Sequence, residues 1–94
     1  MTFNLFIAYD LMKPGQDYTS VHNKIKSLGR WYQPQFSLFY VNTNLTPQQA
    51  HAAVWSVMDA TDRLAVIDAR SGVLSPSIQA DIDAINRVWL SNAA

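Results

Sequence analysis

The sequence has no cysteine and no glutamate, and its three glycines stand apart from one another. Without cysteine there is no disulfide and no thiolate metal site, and isolated glycines form no phosphate-cradling loop. The longest apolar run is only a few residues, far short of a membrane span, and no signal-peptide pattern follows Met1. We therefore expect a soluble, cytoplasmic protein that does not interact with membranes.

Net charge is also absent, because seven Lys and Arg residues balance seven Asp residues. A neutral chain has no overall field to attract a phosphate backbone, so nucleic-acid binding would need a local patch or a dimer. With 94 residues the chain is one domain, near the size at which pairing with a second copy helps stability. We predict a single domain over residues 1–94, with its core in 1–70 and a C-terminal helix over 75–92.

Local sequence patterns predict the secondary structure. The segment "TFNLFIAYD" alternates with both sets of residues apolar, which is typical of a central strand. Asp17 is an N-cap candidate for a first helix that Gly29 ends, and Thr46 forms a capping box with Gln49 before a second helix. The segment "RWYQPQFSLFYVNT" predicts a hairpin with Pro34 at or near its connection.

The remaining segments complete the order of elements. "DRLAVIDA" predicts a fourth strand, and apolar residues at helical spacing after Ser75 predict a terminal helix. This order predicts an α+β protein with a ferredoxin-like βαββαβ antiparallel sheet, two helices on one face and a C-terminal helix. In the arrangement that we predict, strands one and three lie parallel in the centre, strand four flanks strand one, and strand two flanks strand three.

The helix-free face of such a sheet carries apolar side chains that need a cover. Either the terminal helix folds back over this face, or two copies pack sheet to sheet about a two-fold axis. We favour a homodimer that the terminal helix helps to close.

Asp10 ends the first strand and shares its parity with Phe6 and Ala8, so it is predicted to point to the helix-free face. A carboxylate at a strand end is typical of a loop-starting cap or an arginine partner. Two copies across a dyad could instead hold a magnesium ion whose bound water attacks a phosphodiester. The strand directions given above predict that Asp68 lies far away and that the neighbours of Asp10 are Arg30, Trp31, Asn42, Asn44, Asp62 and Arg63.

Other candidate groups are few. His22 and His51 have no second metal ligand at the required spacing, so both are predicted to be surface or boundary residues. The segment Arg30-Trp31-Tyr32 suits stacking with a nucleic-acid strand, and ordinary edge-strand packing is the alternative. The candidates for phosphate or nucleic-acid binding are Lys13, Arg30, Trp31 and Arg63.

Three segments, "AYDLMKPGQDYTSVHNKIKSLGRWYQ", "FSLFYVNTNLT" and "DATDRLAVIDA", strongly resemble the small bacterial proteins labelled SinR family, over about residues 5 to 69. More distantly the chain is similar to the CRISPR-associated small ferredoxin-like nuclease and to the virulence-associated D ribonucleases. The resemblance implies that Asp10 matches an aspartate proposed to share a divalent metal ion, such as Mg²⁺, with its dimer mate. Ser37 and Phe39 match the strand "QFSLF" of the nuclease-like family.

The chain also departs from that pattern. The nuclease-like family has an arginine pair after its aspartate, whereas here the loop reads Lys13-Pro14-Gly15-Gln16, and a helix is predicted where that family has a fifth strand. Two functions follow as alternatives. One is a dimeric, non-catalytic scaffold that binds a second copy or another protein, and the other is a metal-dependent endoribonuclease or endonuclease that uses Asp10. We favour the scaffold, because the charge is neutral and the carboxylate stands alone.

Overall fold

Seven elements of secondary structure occur in the predicted order. The computed structural model describes residues 2–12, 15, 17–69 and 79–89. The predicted start of the terminal helix at Ser75, its end near residue 92 and the candidate Lys13 lie outside these residues. The elements are β1 (Phe3–Asp10), α1 (Tyr18–Lys26), β2 (Arg30–Gln35), β3 (Leu38–Thr43), α2 (Pro47–Trp55), β4 (Arg63–Asp68) and α3 (Gln79–Trp89).

The starts of α1 and α2 follow the predicted capping chemistry. The Asp17 carboxylate accepts hydrogen bonds from the backbone N–H groups of Thr19 and Ser20. Thr46 and Gln49 form the reciprocal capping box, and Pro47 occupies the first turn of α2. These bonds satisfy N–H groups that a helix start would otherwise leave without partners, which fixes where each helix begins.

The four strands form one sheet in the order β2-β3-β1-β4, and every neighbouring pair is antiparallel. The predicted neighbours are therefore correct, but the predicted parallel alignment of β1 and β3 is wrong. The β2–β3 hairpin reverses the chain, and the α1 crossover makes β2 run in the same direction as β1, so β3 runs against β1. Pro34 lies within edge strand β2, beside a break in register between Tyr32 and Gln35.

One side of the sheet, the first face, carries the main core. Leu5, Ile7 and Tyr9 of β1 are buried there, as the alternation in β1 predicts. They form one cluster with residues of β3 and of both α1 and α2, so these two helices pack on the same face. The other members of the buried cluster are Val21, Ile25, Phe39, Val41, Ala50 and Val54.

The described residues cover the opposite side of the sheet, the second face, over only part of its width. Leu38, Tyr40 and Asn42 of β3 point to this face and are buried, and α3 packs against β2 and β3. Val88 of α3 is buried as well. The terminal helix therefore folds back over the β2–β3 half of the second face, which was one of the two predicted covers.

Among the three helices in the described part of the chain, none combines the length and the apolar character that crossing a bilayer requires.

Candidate functional site

The β1–β4 half of the second face presents a row of partly or fully exposed side chains, which we call the open strip. Its members pair across the two strands, because directly opposite residues of an antiparallel pair point to the same face. Ile67 is 53 % exposed, and Phe6 rests edge-on against Tyr40 with a centroid separation of 5.8 Å. The pairs of the open strip are Phe6 with Ile67, Ala8 with Ala65, and Asp10 with Arg63.

Asp10 and Arg63 form the charged end of the open strip, and both side chains are exposed. A shallow cavity of about 230 Å³ opens beside them, lined in part by Ser37 of the hairpin turn. The turn is tied to β1 because the N–H of Tyr9 donates to the Ser37 carbonyl at 3.2 Å. The charged end of the strip is thus bounded by three separate segments of the chain.

Asp62, which precedes Arg63, is a structural residue. Its carboxylate is only 7 % exposed and accepts a hydrogen bond from the N–H of Met12 at 3.0 Å and another from the N–H of Asp59 at 2.7 Å. These bonds join the segment after β1 to the segment before β4. The predicted closeness of Asp10 to Asp62 and Arg63 is therefore correct, and Asp68 lies at the far end of β4, opposite Leu5.

Four other predicted neighbours of Asp10 lie at the opposite end of the sheet. Asn42 pairs with Asn4 and with Arg30, and Trp31 and Asn44 are adjacent to that pair in sequence. The prediction was wrong because it assumed that β1 and β3 run in the same direction. Antiparallel strands place the end of β1 beside the start of β3 instead.

Trp31 is also on the other side of the sheet. It contacts Phe39 of the first face with ring centroids 6.0 Å apart, and the Lys26 ammonium lies 4.6 Å from its ring centroid. Arg30 and Trp31 both line a cavity between β2 and α3, together with Arg87. Arg30 and Trp31 therefore lie together at one cavity, away from Asp10 and Arg63.

A second feature, the aromatic cluster, was not predicted. The Tyr9 hydroxyl is hydrogen bonded to Nε2 of His22 and also donates to the Phe36 carbonyl at 3.4 Å. His22 lies one helical turn after Tyr18, so both reach the same side of α1. The rings of the cluster, with neighbouring centroids 4.9 to 6.2 Å apart, are Tyr9, Tyr18, His22, Phe36 and Phe39.

The cluster shifts the proton affinities of its two polar members. Burial raises the pKa of Tyr9 to about 12, and the neighbouring Tyr18 contributes in the same direction. Burial and the nearby Lys26 ammonium lower the pKa of His22, against an opposing hydrogen bond with the Phe36 backbone. Both side chains are consequently neutral at pH 7, which suits their partly buried positions.

We predict that His22 makes the protein less stable in acid. Because its pKa is lower in the folded state, the unfolded chain binds the extra proton first as the pH falls. The stabilisation is complete above the ordinary histidine pKa of about 6.5 and decreases as the pH falls from there through the folded pKa. Urea unfolding between pH 8 and pH 5 should show a smaller pH-dependent loss for His22→Gln than for the wild type.

His51→Gln is the matched control, because His51 is an exposed histidine on α2. Its unfolding free energy should fall with pH as steeply as that of the wild type. Equal slopes for His22→Gln and the wild type would contradict the prediction.

In the described part of the chain, no three or more His, Asp or Glu side chains group together. The comparisons with family models, curated proteins and solved structures give no match.

Proposed function

We propose that the protein is a non-catalytic, ferredoxin-like homodimer that serves as a scaffold or interaction module, and that the open strip is the contact between two copies. The observation that carries this proposal is the exposure of the strip beside a half-face that α3 covers. Ile67 is 53 % exposed, and Phe6 and Ala8 continue the apolar surface along β1. Removing apolar surface from water favours association by about 25 cal/mol per Å².

The strip also has the chemistry of a protein contact. It has apolar residues along most of its length and one oppositely charged pair at its end, which is the usual combination of an apolar centre with a polar rim. An isologous dimer uses the same patch on both copies, so one exposed patch suffices for a closed assembly.

The dimer is tested by self-association of Ile67→Asp beside the wild type. A carboxylate in the apolar part of the contact would lose water without gaining a partner. We expect a concentration-dependent wild-type dimer in sedimentation equilibrium, and dimerisation of Ile67→Asp that is weaker by about tenfold or more, which equals ~1.4 kcal/mol.

Val57→Asp is the matched control, since Val57 is 40 % exposed after the end of α2, away from the open strip. It should dimerise like the wild type. A wild type that stays monomeric at high concentration would overturn the proposed function.

The alternative function is a metal-dependent endoribonuclease or endonuclease that uses Asp10, which lies beside an open cavity together with Arg63. It requires cleavage of labelled RNA or DNA with magnesium or manganese, loss of cleavage with a chelator, and loss of cleavage in Asp10→Asn. Asp68→Asn, at the far end of β4, should then keep full activity. The scaffold proposal expects no metal-dependent cleavage by any of these proteins.

A further inference from the structure

We infer that β1 of each protomer packs over β4 of the other, so that Asp10 faces the partner's Arg63 and not the partner's Asp10. This inference rests on the proposed dimer and adds its register. It concerns the open strip, and the ligand of the strip is a second copy of the same chain.

The position of α3 limits where the two-fold axis can lie. In the part of the chain that the structure describes, α3 packs against β2 and β3 and the second-face residues of β3 are buried, so β1 and β4 are the strands left to receive another sheet. An axis centred on β1 would carry the partner's β4 over β3, into the space that α3 occupies. The axis consistent with α3 runs parallel to the strands, between β1 and β4.

This axis makes the open strip complementary to itself. Rotation about this axis keeps the position of each residue along the strand direction and places the partner's β4 over β1. Each member of the strip therefore meets the partner's copy of the residue that lies opposite it in its own sheet. Two sheets packed in this way have nearly aligned strands, as is usual for sheets about 10 Å apart. The facing pairs are Phe6 over the partner's Ile67, Ala8 over the partner's Ala65, and Asp10 over the partner's Arg63.

An axis perpendicular to the strands gives a poorer match. It would reverse the strip end to end and place Asp10 over the partner's Phe6 and Arg63 over the partner's Ile67. Each charge would then lose water against an apolar side chain without a partner, which is costly. The parallel axis instead gives four alternating charges at one end of the contact.

In this dimer the two Asp10 carboxylates are not adjacent, as they would have to be to share a metal ion. The two copies of Asp10 are offset by one strand spacing as well as by the gap between the sheets, and each has an arginine nearer to it than the other carboxylate. The charged end of the strip then sets register and specificity, which is the usual role of charge pairs at an interface.

The discriminating experiment is the dimer dissociation constant of Asp10→Asn, measured by sedimentation equilibrium. If Asp10 faces the partner's Arg63, the substitution removes two attractive contacts per dimer and should weaken dimerisation by about tenfold. If the two aspartates faced each other, it would remove a repulsion, and dimerisation would become stronger. Stronger or unchanged dimerisation overturns the inference.

Asp68→Asn is the control, because it makes the same change in net charge at the end of β4 remote from Arg63. Its dissociation constant should match that of the wild type. The double variant Asp10→Arg with Arg63→Asp exchanges the charges and should restore wild-type dimerisation, whereas each single reversal should weaken it by about a hundredfold. Failure of the double variant to recover, with an unchanged unfolding midpoint, also overturns the register.

Different results would overturn the dimer and the pairing of Asp10 with the partner's Arg63. A monomeric wild type overturns the dimer itself. A dimeric wild type that Ile67→Asp dissociates but Asp10→Asn does not weaken leaves the dimer standing and overturns only the pairing of Asp10 with the partner's Arg63.

Discussion

Gly29→Ala should lower the free energy of unfolding by about 3 kcal/mol or more, a large share of the stability of a small domain. A Cβ at this position would lie 2.0 Å from the carbonyl oxygen of Asn42 and 3.2 Å from Cα of Thr43. Both obstacles are backbone atoms at the end of β3, so no side chain can rotate away to make room. Urea unfolding monitored by circular dichroism would measure the loss.

Gly15→Ala is the informative comparison. Gly15 has a φ of +74°, and a Cβ there would meet no atom within 4 Å. The cost of that substitution is backbone strain alone, about 1 kcal/mol. If Gly29→Ala were no more harmful than Gly15→Ala, close approach of β3 would not be the reason for glycine at position 29.

Phe39→Ala should cost about 3 to 5 kcal/mol, because it removes a large ring from the centre of the first face. Phe39 is fully buried and is the ring that joins His22 on one side to Trp31 on the other, at 5.2 and 6.0 Å. The substitution would leave a cavity within the aromatic cluster, and neighbouring side chains would fill this cavity only in part. The unfolding free energy, measured as for Gly29→Ala, gives the cost.

The matched variant is Phe36→Ala in the same hairpin. Phe36 is 62 % exposed and contacts Tyr18 and His22 with ring centroids 4.9 and 5.0 Å apart, so its loss should cost about 1 kcal/mol, well below the cost of Phe39→Ala. A similar cost for the two phenylalanines would contradict the assignment of Phe39 to the core.

Local features of the sequence predicted local structure well. The caps at Asp17 and Thr46 are hydrogen bonds between residues two or three apart. They depend only on neighbouring residues, so a short stretch of sequence is enough to predict them. The alternation in β1 correctly predicted that Leu5, Ile7 and Tyr9 share the face with the core. The single-domain division and the family resemblance stay predictions.

The main error of the prediction was the direction of β3 relative to β1, and it changed the neighbours that were predicted for Asp10 at one end of the sheet. A hairpin between β2 and β3 together with a helical crossover between β1 and β2 already requires β3 to oppose β1. Applying this rule would have moved Arg30, Trp31 and Asn42 away from Asp10 and brought Ser37 toward it.

The aromatic cluster could not be read from spacing in the same way. Its polar contact joins Tyr9 in β1 to His22 in α1, and His22 has no ligand partner nearby in sequence. The available signal was the parity of Tyr9, which points toward the helices, combined with the placement of His22 one turn after Tyr18. Predicting the contact also needs the rotation of α1 on the sheet, which depends on packing throughout the first face.

The two hydrogen bonds of Asp62 have a consequence for association. They hold the segment after β1 against the segment before β4, so Asp10 and Arg63 project from backbone that is already ordered in the isolated protomer. A contact made by ordered backbone loses no backbone freedom when a partner binds, so the entropy lost on association is smaller than for a contact made by a loop that must become ordered. The buried Asp62 carboxylate, which lies outside the open strip, would thus favour the dimer by limiting the freedom that is lost on association.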